Sequence, residues 1–234
     1  MGQQLESMAI GLADKVEAGE TAGTGGNGAT AAASSPSSPR GAVVRWAQLV
    51  GGLVIYGVAM ALLIRSGLGL GPWDAFHVGV SELTGAALGV VVIAVGVAIV
   101  AGTWFIGVRP GAGTVANMVL IGVFVELLLP VTPAATTLWA SVAYHVVGIV
   151  LTGVATGLYI APGLGKGPRD GMMIGVSERT GWPVRRVRTG IELSVLLLGW
   201  LMGARLGAGT ILFALGVGPA TEWGLRVFGA GPRR

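Results

Sequence analysis

Long apolar stretches, separated by short polar or glycine-rich breaks, fill the chain from Gly41 onward. Six of them reach or approach the ~20 apolar residues that a helix needs to cross a bilayer. They are residues 43–64, 87–108, 114–130, 139–161, 187–204 and 210–228. The pattern predicts an all-α integral membrane protein with six transmembrane helices. Two further segments, 67–85 and 163–181, start glycine-rich and are short for a crossing, so each is expected to be broken or re-entrant.

The composition supports this class of protein and argues against several others. Hydrophobic residues make up 53% of the chain, charged residues 11%, and the mean hydropathy is +0.76, whereas a soluble domain carries about 25% charged residues. Because the chain has no cysteine and only two histidines, no metal site or cofactor is expected. The basic residues are scattered between apolar runs, which is typical of membrane topology signals and not of a nucleic-acid-binding surface.

The sequence repeats itself at an offset of 96 residues. Residues 67–85 and 163–181 are identical at 12 of 19 positions, and the later block 109–114 matches 205–210. Two separate blocks at one offset predict a duplicated architecture of the kind found in transporters. The expected units are repeat 1 over 41–134 and repeat 2 over 135–228. They are flanked by a disordered cytoplasmic tail, 1–40, and a short basic tail, 229–234.

Arginine and lysine positions predict the orientation of these repeats. With both termini in the cytoplasm, three crossings per repeat leave only Arg65 and Arg205 outside, as the positive-inside rule favours. An odd number of crossings turns the second repeat upside down, so the repeats are expected to be inverted. The expected location is a cytoplasmic membrane, and the family resemblance described below implies that it is bacterial. The rival topology has four crossings per repeat, with 71–85 also spanning.

The duplicated glycine-rich block carries the candidate site. It predicts a helix over 72–84 that begins at Pro72 and ends before Gly85. Its Trp73, Phe76, Val80 and Leu83 are expected on an apolar side. The residues expected to bind substrate are Asp74, Ser81 and Glu82 with their copies Asp170, Ser177 and Glu178. The glycines expected to form a backbone cradle are Gly67, Gly69, Gly71, Gly163, Gly165 and Gly167. The alternative is that the glycines form only a hinge and that the carboxylates only cap the helix locally. The segments 67–85 and 163–181 could span the membrane, dip into it or lie on it.

Further polar residues lie in or near the predicted spans. Glu126 and Glu222 occupy equivalent depths, and paired intramembrane acids favour a functional role. His145 has no copy, so helix packing is favoured over proton relay. Glu192 follows Arg188 by one turn, which predicts an i, i+4 ion pair.

Taken with their second copies, the Gly67–Asp74 block and the Ser81–Gly85 sequel resemble the bacterial YczE/YyaS/YitT family of multi-pass membrane proteins. The resemblance covers residues 43–228 and implies a membrane location. It implies no particular substrate.

The duplication, the broken segments and the paired acids predict a secondary transporter or exporter of a small solute. The alternative is a non-transporting scaffold or regulatory protein of the same fold. An enzyme is not expected, because no Ser–His, paired-Asp or metal motif is present. The expected partners are membrane lipids and a small solute, without nucleic acid, and homo-oligomerisation is left open.

Overall fold

The structure, a computed structural model, describes residues 39–229. The expectations for residues 1–38 of the N-terminal tail, and for residues 230–234, lie outside this range. Between residues 39 and 229 the secondary structure consists of eight α-helices and no strand. They are α1 Pro39–Ser66, α2 Pro72–Thr84, α3 Leu88–Phe105, α4 Ala112–Val131, α5 Leu138–Ile160, α6 Pro168–Thr180, α7 Val184–Leu201 and α8 Ala208–Val227.

Three of the described helices are long and apolar enough to cross a membrane: α1, α3 and α5. The apolar part of α4, Ala112–Leu128, is slightly shorter. The remaining long helices, α7 and α8, carry charged residues near one end. Arginines occupy the first turns of α7, and α8 carries Glu222 and Arg226 near its end. The all-helical membrane architecture is therefore confirmed, with three clear spanning candidates.

Helix bounds recur at the sequence offset. The limits of α2 and α3, shifted by 96 residues, coincide with those of α6 and α7, and α4 and α8 begin 96 residues apart. The left-handed glycines recur as well, at positions 67 and 163, 69 and 165, 85 and 181, and 107 and 203. The predicted helix 72–84 is confirmed, with proline at its start and Gly85 in the left-handed conformation after its end.

Helices α1 and α5 cross at two equivalent glycines. A Cβ on Gly52 would lie 3.1 Å from the carbonyl oxygen of Ala155, and one on Gly148 would lie 3.2 Å from that of Ala59. From position 52 to position 59 along α1, the contact moves back from position 155 to position 148 along α5. The two helices therefore run antiparallel where they touch.

The glycine-rich loops before α2 and α6 dock on the starts of α8 and α4. Gly209 donates its N–H to Leu68 O and Gly113 donates to Leu164 O, both at 2.8 Å. Gly69 has φ +122° there, and a Cβ on it would lie 2.6 Å from the nitrogen of Gly207. Only glycine combines that backbone angle with so close an approach. These contacts fix where the short helices α2 and α6 begin.

Burial along α2 does not follow the division into an apolar and a polar side. Leu83 is 70% exposed, whereas Asp74 and His77 are 6% and 1% exposed. The predicted apolar side is thus divided, because Trp73 near the start of the helix is buried and Leu83 near its end is exposed.

Candidate functional site

A cavity of about 130 Å³ lies at the starts of α2 and α6 and reaches the middle of the long helices. Many of its lining positions are equivalent at the 96-residue offset. Such pairs are Tyr56 and Thr152, Gly71 and Gly167, Asp74 and Asp170, His77 and Met173, Val92 and Arg188, and Asn117 and Phe213. The cavity therefore takes corresponding residues from both halves of the chain.

Trp73 and its sequence equivalent Arg169 touch each other in this cavity. The guanidinium carbon of Arg169 lies 4.9 Å from the centre of the Trp73 ring, a cation–π contact. Arg169 Nη2 also lies 3.4 Å from His77 Nδ1. Burial, reinforced by the Arg169 charge, lowers the pKa of His77 well below its ordinary 6.5, so His77 is neutral and its ring can accept from Arg169.

The two equivalent aspartates have different surroundings. Asp170 Oδ2 accepts a hydrogen bond of 3.1 Å from the Tyr159 hydroxyl. The Asp74 carboxylate, by contrast, makes no hydrogen bond or ion pair within the 39–229 range. Burial raises the pKa of Asp74 from its ordinary 3.8 to about 6, against the lowering effect of Arg169. At neutral pH Asp74 is a largely ionised, buried carboxylate without a bonded partner.

The cavity wall also includes a side chain with an unpartnered donor and a satisfied ion pair. The Trp73 Nε1–H is buried and has no hydrogen-bond partner among the described residues. Arg188 and Glu192 form the expected i, i+4 ion pair at 2.8 Å, and both side chains line the cavity. The lining thus holds three carboxylates and two guanidinium groups. Glu192 and Arg188 neutralise each other, which leaves the charges of Asp74, Asp170 and Arg169.

One wall of the cavity is closed by tight helix packing between α3 and α4. A Cβ on Gly122 would lie 2.5 Å from Ile93 Cγ1 and 2.6 Å from Gly89 O. Glu126 Oε2 accepts the backbone N–H of Gly89 at 2.8 Å, near the N-terminus of α3. A carboxylate is stabilised at a helix N-terminus. We call this contact between α3 and α4 the closed seam.

The equivalent helices α7 and α8 make almost no contact with each other. A Cβ on Gly218, the equivalent of Gly122, would meet nothing within 4 Å. Glu222, the equivalent of Glu126, pairs with Arg226 on its own helix and is exposed. Arg185 replaces Gly89 and is exposed as well. We call the space between α7 and α8 the open gap.

The residues predicted to bind substrate fall into two groups. Asp74 and Asp170 line the cavity. Ser81 and Ser177 instead donate hydrogen bonds of 2.7 and 2.6 Å to the carbonyls of Ala86 and Trp182, just past their helix ends. The cavity lining does not include Glu82 or Glu178, which are exposed near the ends of α2 and α6. The duplicated Ser-Glu-x-Thr-Gly sequence is thus a helix-ending motif in both copies.

The predicted glycine cradle also divides. Gly71 and Gly167 line the cavity. The other four glycines, Gly67, Gly69, Gly163 and Gly165, lie in the loops that lead to it and border other surface depressions. Glu126 and Glu222 lie at the closed seam and the open gap, not in the cavity lining. His145 is fully buried and bonds Ser66 Oγ at 3.0 Å and Gly209 O at 2.8 Å, as a packing role predicts.

Sequence reasoning did not single out Arg169, Trp73, Tyr159 or Asn117 as site residues. The available signal was the sharp chemical difference between Trp73 and Arg169 inside an otherwise preserved block. A position that differs so strongly between copies breaks the symmetry of a site built from both.

The helices and the buried polar cavity define a helical membrane protein. The chain belongs to the family of unknown function DUF6198, whose profile matches residues 43–226, and it is similar to bacterial YczE and YyaS proteins. It is 41% identical to the uncharacterized membrane protein YczE of Bacillus subtilis over 74% of this chain and 81% of that protein. An uncharacterized protein of Haemophilus influenzae is 33% identical over 75% and 80% of the two chains. YyaS of Bacillus subtilis is 25% identical over 69% and 82%. No solved structure matches the chain.

Proposed function

We propose that this protein is a secondary transporter of a small solute, working by alternating access between two inverted repeats. The observation that carries this proposal is the asymmetry around one cavity. Equivalent residues of both halves line it, yet one pair of equivalent helices is sealed and the other is apart. A single central site between inverted repeats, open to one side at a time, is the arrangement on which alternating access depends.

The antiparallel contact of α1 and α5 supports the inverted relationship. Equivalent helices that run in opposite directions are expected when each repeat crosses the membrane an odd number of times. In this topology the long helices of each repeat make three crossings, and α2 and α6 are re-entrant. At 13 residues each, these short helices extend about 20 Å, less than the ~30 Å hydrocarbon core.

Charge then assigns the two sides. The open gap adjoins the start of α7, where Arg185, Arg186 and Arg188 cluster. By the positive-inside rule this end is cytoplasmic, and both termini are on the same side. The described conformation is accordingly open to the cytoplasm, and the closed seam faces outward.

Side-specific labelling tests the proposal in this cysteine-free chain. Ile121→Cys and Val217→Cys occupy equivalent cavity positions on α4 and α8. A membrane-impermeant maleimide should modify position 217 from the cytoplasmic side of inverted vesicles. It should modify position 121 from the outside of right-side-out vesicles, as the conformations exchange.

Two control variants calibrate the labelling. Thr136→Cys, in the connection between α4 and α5, should react from outside only, and Arg185→Cys should react from the cytoplasmic side only. Labelling of positions 121 and 217 from the cytoplasmic side, with none from outside at either, would support a static scaffold or regulatory protein. Strong external labelling at position 185 would contradict the inverted topology.

A further inference from the structure

The charges of the cavity are arranged in an unusual way. Asp74 and Arg169 line the same 130 Å³ space, but no ion pair within 4 Å joins them or joins Arg169 to Asp170 in the described chain. Arg169 is held instead by the face of Trp73 and a long contact to neutral His77. A carboxylate and a guanidinium that face one cavity without pairing leave room for a ligand between them.

From this arrangement we infer that the transported solute is a small zwitterion that carries one ammonium and one carboxylate group, of about the size of a short-chain amino acid. The ammonium lies at Asp74, and the carboxylate lies at Arg169. This inference rests on the proposed function, because it names the solute class of the same cavity.

A zwitterion fits better than a singly charged solute. A simple cation would satisfy Asp74 and leave the Arg169 guanidinium unpaired beside it, while a simple anion would bond Arg169 and face two carboxylates. Breaking a buried charge pair, or leaving one charge alone, is costly. A zwitterion bonds both Asp74 and Arg169 and leaves the net charge of the cavity unchanged.

Further groups suit such a solute. Both short helices begin at the cavity wall with Pro72 and Pro168, and helix N-termini favour anionic groups. Val92, Ile121 and Met173 give the space an apolar side that a short carbon chain can contact.

Matched probes separate the charge classes. Glycine and alanine carry both charges, their amides carry only the ammonium, and glycolate and lactate carry only the carboxylate. Binding to the purified full chain is measured by calorimetry and by the shift in unfolding temperature. We expect glycine or alanine to bind at least about tenfold more tightly than its amide and its hydroxy acid.

Two cavity variants locate the ends of the solute. Asp74→Asn should weaken binding of the amino acid about tenfold or more, whereas lactate should bind no more weakly than before, because it loses a repelling carboxylate. Arg169→Gln should weaken the amino acid equally, whereas the amide should bind no more weakly than before, because it loses a repelling guanidinium. Arg205→Gln removes an exposed guanidinium outside the cavity and should change neither affinity.

Three results would overturn the inference: the amide binding as tightly as the amino acid, the hydroxy acid doing so, or no amino acid binding at all. None of them affects the labelling of positions 121 and 217. If those positions label as a transporter requires and the amino acids fail to bind, the solute class is wrong and the proposed function stands. If amino acids bind but the labelling stays one-sided, the protein binds zwitterions without transporting them.

Discussion

The closed seam and the open gap are built at equivalent sequence positions but pack differently. On α3, Gly89 and Gly96 let α4 approach until Met118 Cγ would lie 2.5 Å from a Cβ on Gly96. On α7 the same positions hold Arg185 and Glu192, whose charged side chains prevent such an approach. The helix bounds thus recur at the 96-residue offset, while the residues at the two interfaces differ and one pair packs tightly.

In the proposed transport cycle, the closed seam and the open gap would act as two gates, and the residues at each indicate how it would close. The closed seam is made by glycine packing and completed by Glu126 at the start of α3. A closed α7–α8 contact would need charge complementarity instead, with Glu222 leaving Arg226 for Arg185. Because the closed seam depends on glycine packing and the open gap on charged residues, substitutions at the two places should have different effects. Each can therefore be tested separately.

The largest expected effect comes from the two equivalent aspartates. Because the folded-state pKa of Asp74, about 6, exceeds its ordinary 3.8, ionising it opposes folding. The stability present below pH 3.8 is lost as the pH rises through about 6, by up to about 3 kcal/mol. Asp74→Asn should therefore unfold at higher denaturant than the wild type at pH 7 and lack this pH dependence.

The equivalent aspartate should behave in the opposite way. Asp170→Ala leaves the Tyr159 hydroxyl without its acceptor, which should lower stability by about 1–3 kcal/mol. Asp74→Asn and Asp170→Ala destabilising the protein to the same extent at pH 7 would contradict the difference that we assign to the two aspartates.

The next effect compares the seam glycines. Gly122→Ala forces a methyl group against Ile93 and Gly89, which should reduce the free energy of unfolding by about 1–3 kcal/mol. Gly218→Ala meets open space and should be neutral or stabilising by up to about 1 kcal/mol, since alanine favours helices. Unfolding in mixed detergent would measure both. Equal losses would mean that α7 and α8 are packed as tightly as α3 and α4.

The smallest expected effect concerns the paired glutamates. Glu126→Ala removes the acceptor for the Gly89 N–H and should cost about 1 kcal/mol. Glu222→Ala removes an exposed i, i+4 pair and should cost about 0.3–0.5 kcal/mol. The same unfolding titration measures both losses of stability. A larger loss for Glu222→Ala than for Glu126→Ala would contradict the assignment of the closed seam and the open gap.

Much of the fold follows from local sequence signals. Proline at the start and glycine at the end were enough to bound α2, and the apolar stretches located the long helices to within a few residues. The same signals could not say that Ser81 completes a helix end while Asp74 enters a cavity, because both are polar residues of one short helix. That distinction depends on which face the neighbouring helices cover.

The central site also depended on information that one sequence does not hold. A 96-residue offset identifies equivalent positions such as Trp73 and Arg169, but not that they touch across the middle of the molecule. Likewise, identical spacing in both halves gives no indication that α3 and α4 are sealed while α7 and α8 are apart. These features arise from packing between distant helices.

Cross-linking the two equivalent helix pairs tests alternating access most directly. Ile93→Cys with Gly122→Cys bridges the closed seam, and Thr189→Cys with Gly218→Cys bridges the open gap at the matching positions; single-cysteine variants control for disulfides between molecules. In separate variants both pairs should form disulfides in membranes, because each gate closes during part of the cycle. A disulfide at 93–122 with none at 189–218, in protein that is folded and inserted, would contradict alternating access.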